Sequence, residues 1–395
     1  MNDPKHAFSR ADTWYDADAG EISEFAASIP DRTDPADWPR AARIERNIPI
    51  YDGATVRAMD ADARRSLMAE WARVFLGGPG VIVIQGGFPD PDVVTRATAL
   101  FTRMIEDERA TGAGSGDHFA KPGANDRVWN ALQKHCLADP EGFALYYGNA
   151  CMALASEAWL GPHYQFTAQV NRVNPGGAAQ SPHRDYHLGF MTRENAARWP
   201  VHAHLLSPAL TLQGAVAHCD MPVESGPTML LPYSQRYAAG YIAFGRPEFQ
   251  DYFARHHVQL ALATGDIVFF NPALMHGAGH NRTADIHRMA NLLQVSSAFG
   301  RPIEAVDRAA MCKAVYRPLG MLAASGRLGP DETRAAIAAC AEGYAYPTNL
   351  DTDPPAPGDL APISQAAILA GSLRDGTEAE AFAAKIDAWE RRRRC

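Results

Sequence analysis

Two histidines, an aspartate and an arginine are the residues of this chain whose types and spacing could do chemistry. His183 and Asp185 stand two residues apart, His276 follows far downstream, and Arg288 comes 12 residues after His276. Two imidazoles and one carboxylate can bind one face of an Fe(II) ion and leave three positions open for substrates and oxygen. An arginine behind such a site could hold a cosubstrate by its carboxylate, because a guanidinium binds carboxylates through two hydrogen bonds.

The surrounding pattern predicts the β-strands that would position these side chains. Residues two apart on a strand point to the same face, so a strand over residues 183–191 would present His183 and Asp185 together. His276 follows the apolar, strand-like segment 267–270. Short strands punctuated by Gly and Pro indicate a β-sandwich or barrel. The other strands are predicted at 165–173, 209–218, 228–231, 258–263 and 290–297.

Helical patterns flank this β-rich region on both sides. Apolar residues recur at spacings of three and four, which is typical of amphipathic helices, over residues 54–76, 90–109 and 128–159. A short buried strand is predicted at 81–84. Residues 301–395 are rich in alanine and mostly helical.

These elements together predict an α+β fold with a double-stranded β-helix (jelly-roll, cupin-like) core. Residues 1–53 are polar and turn-rich and would form an N-terminal arm. Residues 54–300 would form the helix-flanked jelly-roll domain, with its β core at about 165–300. Residues 301–395 would form a C-terminal helical extension packed on the core.

Three motifs in this order carry a family resemblance. The first is His183-Arg184-Asp185, and the last runs from His276-Gly277 through Asn281 to Arg288. Between them, Glu224-Ser225-Gly226-Pro227-Thr228 runs into Leu231-Pro232-Tyr233-Ser234-Gln235-Arg236. The set resembles the phytanoyl-CoA dioxygenase family of Fe(II)- and 2-oxoglutarate-dependent oxygenases over roughly residues 80–300. Tyr233 and Gln235 stand where the family usually has Gly and His.

The resemblance implies a site and a reaction. His183, Asp185 and His276 would be the catalytic iron ligands, and Arg288 would pair with the far carboxylate of 2-oxoglutarate. The chain would use Fe(II), 2-oxoglutarate and O2 to hydroxylate an unactivated C–H bond of a small molecule, releasing succinate and CO2. Halogenases that share the resemblance have a small residue in place of Asp185, so the carboxylate favours hydroxylation. Desaturation or ring closure stays open, because both begin with the same hydrogen abstraction.

The cosubstrate pocket departs from the family at one position. Family members often carry a hydroxyl residue two positions after the distal histidine, where this chain has Ala278. Thr228, Gln169 or Asn171 could supply the missing hydrogen bond. Each of these three could equally be an outward-facing strand residue.

The substrate cannot be read from the sequence. Candidate pocket residues are His187, Trp199, His118 and Lys121. His187 falls on the predicted strand face of the triad, while His118 and Lys121 belong to a Gly-rich loop at 111–125 that is long enough to be functional. Arg127 and Trp129 follow that loop and are further candidates.

The composition of the chain narrows the classes of partner that the protein is expected to bind. A net charge of −8, from 45 acidic and 37 basic residues, argues against a nucleic-acid partner. The opening residues form no apolar signal region, and no apolar stretch approaches the roughly 20 residues that span a bilayer. The 6 cysteines lack CxxC spacing and fit a reducing compartment. We therefore predict a cytoplasmic protein that acts on a small molecule without membrane partners; the oligomeric state stays open.

Two rival functions remain at this point. A jelly-roll enzyme could use a metal without 2-oxoglutarate, and a barrel-type binding protein could lack catalysis altogether. The second is disfavoured because the triad and the arginine are all present.

Overall fold

The computed structural model describes residues 13–111, 123–185, 187, 189 and 191–394. Their strands are β1 (Arg43–Glu45), β2 (Ile48–Asp52), β3 (Val81–Gln85), β4 (Asn125–Val128), β5 (Gln165–Val173), β6 (Thr211–Ala217), β7 (Met229–Leu230), β8 (Ile267–Phe270), β9 (His276–Gly277) and β10 (Arg288–Ser296).

Eight of these strands form a major sheet in the order β1-β2-β3-β8-β6-β10-β5-β4. Strands β2 and β3 are parallel, and the other neighbours are antiparallel. The nine-residue β10 lies between β6 and β5. Its register sets Gln294 opposite Gln213 of β6, and Leu292 opposite Gln169 of β5. Because β10 is paired along both edges, it brings distant polar residues onto one surface.

The two faces of the major sheet contact different surroundings. On β10, Met289, Leu293 and Val295 point into the hydrophobic core beneath the helices. Arg288 and Leu292 point to the other side and line an internal cavity. This period-two alternation is the expected consequence of strand geometry. The sheet therefore carries a structural face and a face available for function.

Short β pairings form a minor sheet across the cavity from the major one. Strand β7 pairs antiparallel with β9, and isolated bridges join His183 to His276 and Leu230 to Val258. Two facing sheets joined in this way make a jelly roll. The predicted α+β fold with a jelly-roll core is confirmed.

Several α-helices cover the outer face of the major sheet, and others pack beside the minor sheet. Those of the described residues are α1 (Ile22–Ala27), α2 (Gly53–Ala58), α3 (Ala61–Gly77), α4 (Pro91–Ala110), α5 (Ala131–Ala138), α6 (Pro140–Tyr147), α7 (Ala150–Leu160), α8 (Arg193–Ala196), α9 (Val201–Leu206), α10 (Gly240–Ala243), α11 (Pro247–His256), α12 (Arg308–Ala324), α13 (Pro330–Cys340), α14 (Gln365–Arg374) and α15 (Ala379–Arg393). Helices α3, α5, α7 and α13 contact strands of the sheet. None of the helices described is long and apolar enough to cross a membrane.

The C-terminal helices pack on this layer. Helix α12 contacts α5 and α6, and α15 packs against α12 and α14. Arg308, buried at the start of α12, donates hydrogen bonds to the carbonyl oxygens of Phe166 (2.8 Å) and Ala339 (3.1 Å). It thereby links α12 to β5 of the major sheet and to the end of α13.

Two predicted boundaries differ from the structure. The chain enters the major sheet already at β1 and β2, within the predicted arm, because the apolar residues Ile48 and Ile50 are buried there. The predicted helix over 54–76 is two helices, since Asp60 leaves the helical conformation and accepts a hydrogen bond from the backbone N–H of Ala63. The division of the chain into arm, core and extension itself stays a prediction.

The segment after His183 is also different from its prediction. Only His183 forms a β-bridge, and the described residues up to Met191 form no strand. Asp185 is held by a hydrogen bond from its backbone N–H to the carbonyl oxygen of Pro272 (2.9 Å). His183 and Asp185 nevertheless both face the cavity.

Candidate metal centre

The two histidines are brought together by direct backbone pairing. The N–H of His183 donates to the carbonyl oxygen of His276 (2.8 Å), and the N–H of His276 donates back (2.9 Å). Residues paired in this way present their side chains on the same face. The two ring centroids lie 4.6 Å apart. Residues 93 positions apart in the sequence therefore form one local unit.

Backbone carbonyls fix which nitrogen of each ring is free. The Nδ1 of His183 lies 2.9 Å from the carbonyl oxygen of Ser181, and the Nδ1 of His276 lies 2.8 Å from that of Leu274. A carbonyl only accepts, so each Nδ1 carries a proton and each Nε2 is the ring nitrogen left for a metal. Burial and the neighbouring His183 imidazole lower the pKa of His276 to about 4. His276 is thus neutral near pH ~7 and can act as a ligand.

Asp185 completes the group. The Nε2 of His183 and the Nε2 of His276 each lie 3.8 Å from one of its carboxylate oxygens. One ligand atom from each of the three residues lies within 4.8 Å of the others. Two imidazole nitrogens and one carboxylate form the donor set of a facial triad.

The Asp185 carboxylate itself fits the role of a metal ligand. The Nε2 of Gln213 donates a hydrogen bond to Oδ2, whereas Oδ1 is buried and has no hydrogen-bond partner. A buried polar atom without a partner is costly and calls for an explanation such as an ion. Since Oδ1 lies beside the Nε2 of His183, the residues present fit a bound metal.

Arg184, between His183 and Asp185, points away from them. Its guanidinium is buried and donates to the carbonyl oxygens of Ser234 and Tyr237. The Ser234 hydroxyl in turn accepts a hydrogen bond from the backbone N–H of Met275 (2.7 Å). The turn that contains Ser234 therefore holds both Met275, the residue before His276, and Arg184, the residue between His183 and Asp185.

The triad opens into a cavity of about 350 Å³ between the two sheets. One side is apolar and is formed by Val83, Leu230, Leu260, Leu262, Val268 and Phe270. The other side is polar and is formed by Arg127, Gln169, Asn171, Gln213 and Gln294. The volume is in the range of small-molecule sites.

Arg288 lines the same cavity from the first position of β10. It is 7% exposed, and no carboxylate of the described residues forms an ion pair with it. Burial lowers its pKa to about 10, which leaves the guanidinium charged near neutral pH. A buried cation without an anionic partner is unfavourable, so the cavity is suited to an anion.

The three candidate partners of a cosubstrate all line the cavity. Thr228 lies on the minor-sheet side, while Gln169 and Asn171 lie on β5. The side-chain oxygen of Gln169 accepts a hydrogen bond from Arg127 (3.1 Å), and that of Asn171 accepts one from Asn125 (3.3 Å). None of the three is the outward-facing strand residue of the competing interpretation.

Sequence reasoning missed three glutamines of the cavity, Gln180, Gln213 and Gln294. The Gln180 Oε1 accepts a hydrogen bond from the backbone N–H of Ala278 (3.1 Å), and Gln213 holds Asp185. The position of Gln180 three residues before His183 was a usable local signal. Gln213 offered only strand alternation, because its contact joins residues that are 28 positions apart.

Two of the residues predicted to contact the substrate do not line the cavity. His187 does not line the described cavity: its Nδ1 lies 2.8 Å from the Thr211 hydroxyl, and its ring lies against Gly300. Trp199 is 40% exposed and is also absent from the lining. His118 and Lys121 lie outside the described residues.

Comparison with known proteins gives a family match by sequence. The family model for phytanoyl-CoA dioxygenase (PhyH) matches residues 78–290, more than half of the chain. Dioxygenase trt7 from Aspergillus terreus (strain NIH 2624 / FGSC A1156) is 26% identical over 212 residues, which are 53% of this chain and 67% of that protein.

Solved structures give distant likenesses. The non-heme alpha ketoglutarate dependent epimerase SnoN from nogalamycin biosynthesis has 20% identity and a TM-score of 0.41, with coverage of 60% of this chain and 82% of SnoN. The carbocyclase SnoK has 19% identity and a TM-score of 0.43, with coverage of 62% and 86%. The family assignment therefore rests on the sequence match. By that match over residues 78–290, the chain belongs to the phytanoyl-CoA dioxygenase family.

Proposed function

We propose that this protein is an Fe(II)- and 2-oxoglutarate-dependent dioxygenase that hydroxylates an unactivated C–H bond of a small molecule. The observation that carries the proposal is one cavity lined by a two-histidine, one-carboxylate group and by a buried, unpaired arginine. A facial metal site alone would fit many reactions. The additional buried cation supports an anionic cosubstrate.

His183, Asp185 and His276 would hold Fe(II). The two imidazoles present Nε2, and the carboxylate presents the otherwise unpaired Oδ1. When bound, iron and 2-oxoglutarate together activate O2 for oxidation of a C–H bond, with release of succinate and CO2. The carboxylate at position 185 occupies the place that a halide would need, which supports hydroxylation over halogenation.

Arg288 would bind the far carboxylate of 2-oxoglutarate. Thr228 is well placed to replace the hydroxyl that Ala278 lacks. Strands β7 and β9 pair Met229 with Gly277, and continuing that antiparallel register sets Thr228 opposite Ala278. Both residues line the cavity, so a cross-strand neighbour can donate the missing hydrogen bond. Gln180, Gln169 and Asn171 are the other polar groups available to the cosubstrate or substrate.

The remaining walls would separate substrate from solvent. Leu230, Leu260 and Val268 line the apolar side of the cavity and would exclude water from it, which strengthens electrostatic contacts. On the polar side, the Arg127 guanidinium lies 4.8 Å from the centre of the Trp129 ring. We propose that this pair faces the substrate, which would then carry polar groups.

Anaerobic addition of Fe(II) and 2-oxoglutarate tests the proposal directly. The wild-type protein should develop a weak visible charge-transfer band, and O2 should then release succinate. His183→Ala should abolish both signals. His187→Ala is the matched control, because His187 belongs to the same segment but does not line the cavity.

Specific outcomes would contradict the proposal. Metal binding that depends on His183, together with no band and no succinate, would favour a jelly-roll enzyme that does not use 2-oxoglutarate. Equal loss of the band in His183→Ala and in His187→Ala would refute the assignment of the ligands.

A further inference from the structure

The side chain of Gln213 makes the two oxygens of the Asp185 carboxylate unequal, because it is hydrogen-bonded to only one of them. Gln213 lies on β6, is 3% exposed, and lines the cavity beside the triad. Its Nε2 donates to Oδ2 of Asp185, while Oδ1 has no hydrogen-bond partner. The carboxylate thus has one oxygen satisfied by the protein and one left for another ligand.

Chemistry fixes the orientation of this amide. An ionised carboxylate only accepts hydrogen bonds, so the atom of Gln213 that faces Oδ2 must be the amide nitrogen. The Gln213 backbone is fixed by β6, where the residue pairs with Phe270 on one side and with Gln294 on the other. Gln213 is therefore a donor presented from a fixed backbone position in the central part of the major sheet.

The backbone of Asp185 is fixed independently of Gln213. Its N–H donates to the carbonyl oxygen of Pro272 (2.9 Å), and its carbonyl oxygen accepts from the Tyr241 hydroxyl (2.9 Å). These contacts fix the Asp185 backbone but leave the carboxylate free to rotate about its side-chain bonds. Gln213 is the described side chain that restrains this rotation.

We propose that Gln213 is a positioning residue that makes Asp185 a single-oxygen ligand. Its donor occupies Oδ2, so that Oδ1 is the carboxylate oxygen without a protein partner and would be the one available to a metal. The inference rests on the metal centre of the proposed function. Removing an outer-shell partner of a metal ligand typically weakens metal affinity about 10- to 100-fold.

Mn(II) titration of the full-length protein tests this role without cosubstrate or turnover. Gln213→Met keeps the side-chain length and removes the donor, and Gln213→Asn keeps the amide but shortens its reach. Gln294→Met is the matched control, because Gln294 is the register partner of Gln213 and lines the same cavity without contacting Asp185. Thermal unfolding of each metal-free variant reports whether the fold is intact.

Both Gln213 variants should bind Mn(II) about 10- to 100-fold more weakly than the wild type, while Gln294→Met binds like the wild type. The visible spectrum of the Co(II)-loaded protein should change in the Gln213 variants, since Asp185 is then free to bind through both oxygens. A purely structural role would not produce that change. Wild-type Mn(II) affinity and an unchanged Co(II) spectrum in both folded Gln213 variants would overturn the inference.

The same titration separates this inference from the proposed function. Mn(II) binding that is lost in Asp185→Ala and weakened in Gln213→Met would support the positioning role even if no charge-transfer band forms with 2-oxoglutarate. In that case the proposed use of 2-oxoglutarate fails alone. Mn(II) binding that does not depend on Asp185 would overturn both.

Discussion

Replacing Arg288 should weaken 2-oxoglutarate binding strongly and leave the metal site intact. The guanidinium is buried and has no carboxylate partner among the residues described. Truncating one member of a buried, hydrogen-bonded charge pair costs roughly 2–5 kcal/mol. Arg288→Met should therefore raise the Kd for 2-oxoglutarate by about 30- to 5,000-fold. Arg288→Lys, which keeps the charge but not the two-pronged geometry, should fall in between.

The same substitution should have the opposite effect on the empty protein. Burial lowers the pKa of Arg288 to about 10, and this change corresponds to a cost on the order of 3 kcal/mol for keeping the charged form buried. Arg288→Met removes that cost, so the metal-free variant should unfold at a higher temperature than the wild type. A protein can keep such a destabilising group where a ligand needs it.

Two titrations and one unfolding measurement check this reasoning. Calorimetric titration of 2-oxoglutarate into the Mn(II)-loaded protein gives the loss of cosubstrate affinity. Mn(II) titration should give wild-type affinity, because Arg288 begins β10 whereas the Gln213–Gln294 row beside Asp185 lies six residues further along it. Equal weakening of metal and 2-oxoglutarate would refute the assigned role. A lower unfolding temperature for the metal-free variant would refute the account of the buried charge.

Two further predictions concern the helical layer. His135 is buried among aromatic rings, neither of its ring nitrogens has a hydrogen-bond partner, and burial lowers its pKa from 6.5 to about 4. The unfolded chain takes up this proton at a higher pH than the folded protein does, so the contribution of His135 to the free energy of unfolding is most favourable above pH 6.5. That free energy falls by roughly 3 kcal/mol as the pH drops toward 4. Urea unfolding of His135→Phe should show a smaller loss of stability in acid than the wild type, and an identical loss would contradict this. Arg308→Met should lower the free energy of unfolding by about 2–4 kcal/mol by leaving the carbonyl oxygens of Phe166 and Ala339 without their donor. Urea unfolding measures this effect, and unchanged Mn(II) affinity is expected because Phe166 points away from the cavity.

Local patterns were enough to predict that His183, Asp185 and His276, the candidate ligands, would lie together. His183 and Asp185 are two residues apart, and His276 and Arg288 each stand at the start of a strand of the jelly roll. The predicted strand over 183–191 was wrong, yet the side chains of His183 and Asp185 face the same cavity, as predicted. A single β-bridge at His183 and one backbone hydrogen bond from Asp185 fix both residues without a continuous strand.

Helix boundaries failed where capping residues were overlooked. The single helix predicted over 128–159 is three helices. Asp139 and Asn149 accept hydrogen bonds from backbone N–H groups at the starts of the second and third, and Pro140 occupies a favoured first position. These signals are visible in the sequence. The contact of Gln213 with Asp185 is different, because it depends on how a strand of the major sheet faces an irregular segment.

The departures from the family pattern at positions 233 and 235 change what the turn contacts, and the turn still supports the triad. Tyr233 has a φ of +69°, a conformation that glycine adopts freely and that costs other residues about 1–2 kcal/mol. The Tyr233 side chain is buried, and its hydroxyl lies 2.7 Å from the Thr33 hydroxyl, which offsets this strain. Gln235 donates to the carbonyl oxygen of Gly78 (2.8 Å). Between them, Ser234 still binds Arg184 and Met275. The same turn that contacts the segments of His183 and His276 therefore also fastens the segment around Thr33 to the core.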